Sequence, residues 1–172
     1  NEDTIISLCN KALSLEPNLA DGYWIRGRYY RNTGQFQKAI EDFHKALEIN
    51  PNNALAYRYL GSTYFFKRNF TGAFSNLKKA EKLERGNELT QLYSDIGQLY
   101  ISIGEVQKAE KYYKESIRLQ PNFIEGYRNL VWAFFRQGKF EDAYTYAEKL
   151  LYIYPGNSTS YSIMAESLTN LN

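Results

Sequence analysis

Pro17, Pro51, Pro121 and Pro155 punctuate the chain at intervals of 34, 70 and 34 residues. Their surroundings read alike: Leu15-Glu16-Pro17-Asn18, Ile49-Asn50-Pro51-Asn52, Leu119-Gln120-Pro121-Asn122 and Ile153-Tyr154-Pro155-Gly156. A fixed period in this range marks one supersecondary unit copied along the chain. Each copy is too small to bury its apolar face alone, so the copies must stack on one another. Proline also lacks a donor N–H and disfavours helix in the residue before it, so each proline marks a helix end.

Between the prolines the apolar residues fall at helical spacing. The rows Tyr23-x-x-Arg26-Gly27-x-x-Tyr30, Tyr57-x-x-Leu60-Gly61-x-x-Tyr64, Tyr93-x-x-Ile96-Gly97-x-x-Tyr100 and Tyr127-x-x-Leu130-Val131-x-x-Phe134 each occupy i, i+3, i+4 and i+7, one face of a helix. A short polar break follows each row: Asn32-Thr33-Gly34-Gln35, Lys67-Arg68-Asn69, Ser102-Ile103-Gly104-Glu105 and Arg136-Gln137-Gly138-Lys139. A second helix comes next, in which Ala39, Phe43 and Ala46 recur as Ala73, Leu77 and Ala80, as Ala109, Tyr113 and Ser116, and as Ala143, Ala147 and Leu150. Glycine in the break suits the left-handed end of the first helix, and small residues inside the helices let the two approach closely.

This arrangement resembles the tetratricopeptide repeat: aromatic, Leu, Gly and Tyr on helix A, then Ala, a large residue and Ala on helix B, then Pro. The resemblance covers nearly the whole chain and implies an all-α fold, a right-handed superhelical solenoid of antiparallel helix pairs. It divides a single domain, 1–172, into helix B of a partial repeat (1–19), full repeats at 20–53, 54–89, 90–123 and 124–157, and a terminal helix at 158–172. Four departures stand out. Gly61 and Gly97 lie 36 residues apart, and Gly86-Asn87 replaces the proline expected near Arg85, which predicts a longer turn rather than a domain boundary. Val131 stands where the family has Gly or Ala, Arg68 where it has Gly, and Arg26 where it has Leu.

Composition narrows the function. The 21 basic and 19 acidic residues leave a net charge of +2, too little for the electrostatic footprint of a nucleic-acid binder, so RNA or DNA is not an expected partner. No apolar run is long enough for a membrane span, no leader is evident, and Cys9 has no internal disulfide partner, so a cytoplasmic location is expected. The chain opens with Asn partway through a repeat, which predicts a piece of a longer protein.

Catalysis finds no constellation. His44 reads as a helix-surface residue beside Phe43, and Cys9 as a small packing residue in the slot of Phe43. Glu41-Asp42 and Glu141-Asp142 open helix B, where negative charge suits the helix dipole and the side chains are expected to face water. There is no phosphate-cradling glycine loop and no metal-spaced Cys/His set, so no enzyme activity, cofactor or metal is expected. Asn69-Phe70-Thr71 and Asn157-Ser158-Thr159 match a glycosylation sequon and read as turn and cap residues.

The resemblance implies that successive A helices line a concave groove holding an extended peptide or a helix. The candidate groove residues are Trp24, Arg28 and Arg31, then Arg58, Tyr59 and Phe66, then Arg128, Asn129, Trp132 and Arg136. The third repeat offers the polar set Gln91, Ser94, Asp95 and Gln98. Arginine and large aromatics are favoured binding anchors, so the expected partner is a protein or peptide, acidic, with aromatic or aliphatic anchors. The alternative is that Arg28 and Arg128 stack on Trp24 and Trp132 of their own helices, contributing about 0.5–1 kcal/mol each. The chaperone-binding members of the family hold a C-terminal carboxylate with Lys, Asn and Arg at set slots. Here those slots hold Trp24, Arg28, Tyr59, Gln91 and Asp95, or one repeat later Arg58, Ser62, Asp95, Glu125 and Asn129, and neither set matches.

The opening helix carries Ile5, Ile6, Leu8 and Cys9 with Ala12 and Leu13, more apolar surface than one neighbour covers. An upstream repeat or a homodimer partner is expected on it. The terminal helix is more polar and reads as a solvating cap. The leading functional reading is a protein–protein interaction scaffold. The alternative is the regulatory or substrate-recruiting arm of a multidomain enzyme or bacterial transcription regulator.

Overall fold

The structure, a computed structural model, describes residues 2–171 and the side chains of residues 4–171. Helices account for almost all of it, and there is no strand among the described residues. The chain divides into two compact units, 1–84 and 85–172. The first holds α1 (Glu2–Leu15), α2 (Ala20–Asn32), α3 (Phe36–Ile49), α4 (Ala54–Phe66) and α5 (Phe70–Leu83). The second opens with a 3-10 turn at Gly86–Glu88, so the division between the units falls at the turn that stands where proline is missing, a place where the spacing predicts a longer turn and no domain boundary. It continues with α6 (Leu89–Ser102), α7 (Val106–Leu119), α8 (Ile124–Arg136), α9 (Phe140–Ile153) and α10 (Ser158–Leu171).

Each repeat is a tightly packed helix pair: α2 with α3 and α4 with α5 in the first unit, α6 with α7 and α8 with α9 in the second. Helix B of one pair then packs on helix A of the next, as α1 does on α2, α3 on α4 and α7 on α8. The glycines inside helix A allow this approach. A Cβ on Gly27 would lie 2.9 Å from the Phe43 ring and one on Gly61 2.8 Å from Leu77, while one on Gly97 would collide with the Tyr113 ring. In the fourth repeat the bulk is exchanged. Val131 replaces the glycine, and the slot of Phe43, Leu77 and Tyr113 shrinks to Ala147, with both residues fully buried. The departure noted in the sequence is thus one half of a compensated pair, and close packing is kept.

The breaks within repeats turn through the left-handed region at Gly34, Gly104 and Gly138, with φ of 75°, 83° and 69°, and at Arg68, with φ of 58°. Arg68 keeps the hydrogen bonds of that motif: its N–H donates to the Phe65 carbonyl at 2.9 Å, and the Asn69 N–H to the Tyr64 carbonyl at 2.9 Å. Both sequon asparagines cap helices. Asn69 Oδ1 accepts from the Gly72 N–H at 2.9 Å and Asn157 Oδ1 from the Ser160 N–H at 2.9 Å.

One expectation needs correction. Asp42 does not face water; it is buried, and its carboxylate accepts from two of the three guanidinium nitrogens of Arg26, Nε at 2.8 Å and Nη2 at 2.7 Å. The remaining arm of Arg26 donates to Asn10 Oδ1 on α1 at 2.7 Å. A bidentate guanidinium–carboxylate pair replaces the apolar contact that a leucine would make, and ties α1, α2 and α3 together.

Candidate protein-binding face

The two A helices of the first unit bring their arginines and aromatics into one cluster. Trp24 on α2 and Tyr59 on α4 stack with ring centroids 6.0 Å apart and planes 9° apart. Tyr59 is itself stacked on the buried Phe43 at 6.2 Å and 11°, so the shelf is anchored to the core. Three guanidinium groups gather on it. Arg28 lies 5.3 Å from the Trp24 ring, Arg58 5.1 Å from Tyr59, and Arg31 5.7 Å from Tyr59 and 5.2 Å from Phe66. Phe66 continues the shelf by stacking on Phe36 at 5.9 Å and 4°.

Electrostatically the cluster is a cationic patch on an aromatic floor. Burial pushes the Tyr59 phenol upward, but hydrogen bonds from Arg28 and Arg58 together with their charge outweigh it and hold it below the ordinary tyrosine value. The carboxylate of Asp21, at the start of α2, accepts from Trp24 Nε1 at 2.8 Å and fixes the indole. The arrangement can grip an anionic group with bidentate guanidinium contacts while an apolar side chain lies on the rings.

The second unit builds its face differently. Asn129 on α8 donates from Nδ2 to Ser94 Oγ on α6 at 3.1 Å, so it links two A helices rather than standing open. Trp132 is 44% exposed and meets Phe135 edge to face at 6.0 Å and 88°. Among the described residues no cation stacks on Trp132, so the Arg28–Trp24 stacking is found and the Arg128–Trp132 stacking is not. Arg128 and Arg136 are exposed on α8. On α6, Gln91 donates to Asp95 Oδ1 at 3.2 Å.

Sequence reasoning named six residues of the first cluster and left out Phe36 and Phe43. The signal was available: Phe36, Phe70 and Phe140 recur as the first residue of helix B. Phe70 contacts Phe65 at 6.1 Å and Phe140 contacts Phe135 at 5.6 Å, so this position regularly feeds an aromatic to the end of helix A. His44 is exposed on α3, its Nε2 3.4 Å from the Tyr64 hydroxyl, and Cys9 is buried. Among the described residues no group of three or more His, Cys, Asp or Glu could hold a metal, and no helix is long and apolar enough to cross a membrane.

Comparison with known families agrees with this architecture. Models described as tetratricopeptide repeat match residues 20–53, 90–123 and 127–157, together more than half of the chain. The chain belongs to the tetratricopeptide repeat family. The fold is likewise shared with solved tetratricopeptide proteins. MamA is 28% identical at a TM-score of 0.76, over 90% of this chain and 89% of that one. PilF of Pseudomonas aeruginosa is 18% identical at 0.84, over 98% and 85%. YrrB, described as a tetratricopeptide protein with an unusual peptide-binding site, is 18% identical at 0.76, over 94% and 82%. Comparison with curated protein sequences returns no significant match. The tetratricopeptide fold supports a role as a protein–protein interaction scaffold.

Proposed function

We propose that this tetratricopeptide array binds an acidic peptide or helix on its A-helix faces, and that the primary contact is the α2–α4 cluster. The observation that carries the reading is the convergence of Arg28, Arg31 and Arg58 on the Trp24–Tyr59–Phe66 shelf. Guanidinium and indole groups dominate interface energetics when they stand prearranged on a rigid support, because little ordering remains to be done on binding. The stack on Phe43 supplies that rigidity here. A partner side chain carrying a carboxylate would neutralise the patch while an aromatic or aliphatic neighbour covers the shelf. Arg128, Trp132 and Arg136, exposed on α8, form a second contact region, with Asn129 beside them tied to Ser94. YrrB, which shares this fold, is described as having an unusual peptide-binding site, so the fold admits peptide ligands.

A peptide-array screen on the folded chain tests the proposal, run beside an Arg28→Glu, Arg58→Glu double variant and an Arg128→Glu variant. Acidic, aromatic-bearing peptides should bind the parent chain and lose tenfold or more in affinity on the double variant, since each charge-assisted contact is worth about 1.5–3 kcal/mol. Equal binding by the double variant would place the contact elsewhere.

A further inference from the structure

The turn after α7, the start of α8 and the last turns of α9 enclose a cleft of about 430 Å3, lined by Pro121, Asn122, Tyr127, Lys149, Tyr152 and Ile153. Its volume falls within the range of about 300–1,000 Å3 usual for ligand clefts. None of these residues belongs to the contact region proposed on α8. The repeat shows what is particular to it. Tyr152 occupies the place that Glu48, Lys82 and Arg118 hold in the three earlier repeats, and Lys149 the place of Lys45, Lys79 and Glu115. Charged side chains suit an exposed place of this kind. Tyr152 is instead a ring that is 92% exposed, so it contributes almost nothing to packing within the fold.

The floor and the rim differ. Tyr127 forms the floor: it is buried and leans on Tyr146, with ring centroids 6.3 Å apart. Pro121 and Ile153 add aliphatic walls. Lys149 Nζ lies 4.5 Å from the Tyr146 ring centroid, which holds its ammonium beside the cleft. Burial, followed by the neighbouring Tyr146, pushes the Tyr127 phenol above its ordinary value, so it keeps its proton and remains a donor. The polar side chains of the lining are thus an amide, two phenols and an ammonium. Every one can donate a hydrogen bond, and none is a carboxylate.

We infer that this cleft docks a proline-rich segment of a partner protein in the polyproline II conformation. Such a chain has no internal hydrogen bonds, so its carbonyls point outward, and its prolines bring no N–H. It is rich in acceptors and poor in donors, the complement of this lining. Pyrrolidine rings lie on Tyr152 and against Pro121, while the Asn122 amide, the Lys149 ammonium and the phenols meet the carbonyls. The stiff, extended chain has little freedom left to lose on docking, so a shallow contact suffices. The matching cleft of the first repeat, around Tyr23 and Lys45, makes the contrast. Glu41, Asp42 and Glu48 line it, and acceptors facing acceptors repel a proline-rich chain.

NMR titration of the isotope-labelled chain with acetylated, amidated hexaproline tests the inference, beside a Gly-Ser peptide of the same length. Signals of Asn122, Lys149 and Ile153 should shift with hexaproline and stay in place with the Gly-Ser peptide. Tyr152→Glu and Lys149→Glu introduce side chains that other repeats carry at these places, so the fold is retained, which circular dichroism checks. Each should weaken hexaproline binding by about tenfold or more, as the loss of a main anchor does. Tyr152→Phe keeps the ring and should bind more tightly than Tyr152→Glu. Equal shifts with the Gly-Ser peptide overturn the inference, as does hexaproline binding that Tyr152→Glu leaves intact. Binding of phenylacetate without binding of hexaproline also overturns it, and assigns the cleft to a small aromatic acid.

Discussion

Arg68 holds a backbone conformation, φ of 58°, that glycine takes at Gly34, Gly104 and Gly138 in the other breaks. An L side chain there crowds the following carbonyl, a strain of about 1–2 kcal/mol that glycine avoids, while glycine gives back part of the gain as unfolded-chain entropy. Arg68→Gly is therefore expected to stabilise the chain by about 0.5–1 kcal/mol, read as a higher urea midpoint with an unchanged slope. This residue was legible because the break recurs and Arg68 interrupts its pattern. Asp42 was not. Its mate Arg26 lies on another helix, and a rule about charges at helix starts has no access to a tertiary pair that buries the carboxylate. Tyr59 was legible as a surface candidate, but its second contact, with Phe43, depends on the packing of α3 against α4.

At the scale of the helix pair, the exchange of bulk between Val131 and Ala147 predicts non-additive substitutions. Val131→Gly removes a buried side chain from α8 and loosens its backbone, with an expected loss of about 2–4 kcal/mol. Ala147→Leu alone overfills the seam at a cost of about 1–3 kcal/mol. The double variant restores the combination seen at Gly61 and Leu77. It should be clearly more stable than the sum of the two losses, a coupling that a double-mutant cycle in urea measures directly. Helices, breaks and repeat register were all readable because periodicity, glycine and proline are local signals. The compensation was half readable, since Val131 stood out and the small Ala147 was in view, but only the facing of the two helices joins them.

For the chain as a whole, its division into two compact units implies that conditions acting on one need not act equally on the other. In the second unit, Glu110 on α7 accepts from Lys114 Nζ at 2.7 Å and from Lys139 Nζ, just ahead of α9, at 2.9 Å. Burial pushes its carboxyl upward, but the two lysine hydrogen bonds and charges prevail and hold it below the ordinary value of 4.5. A folded-state value below the unfolded one favours the native state fully above pH 4.5, and the contribution disappears as pH falls through the lower folded value. Glu110→Gln should therefore lower thermal stability at neutral pH and flatten the decline as pH falls below 4.5, as followed by thermal melts at decreasing pH. The chain also holds two indoles, one in each unit, in unlike surroundings. Trp24 contacts a phenol ring and a guanidinium, and Trp132 stands half in water beside Phe135, the two rings edge to face. Their emission is therefore expected to differ in colour and in response to quenchers, which would give the unmodified protein a separate optical reporter for events on each half.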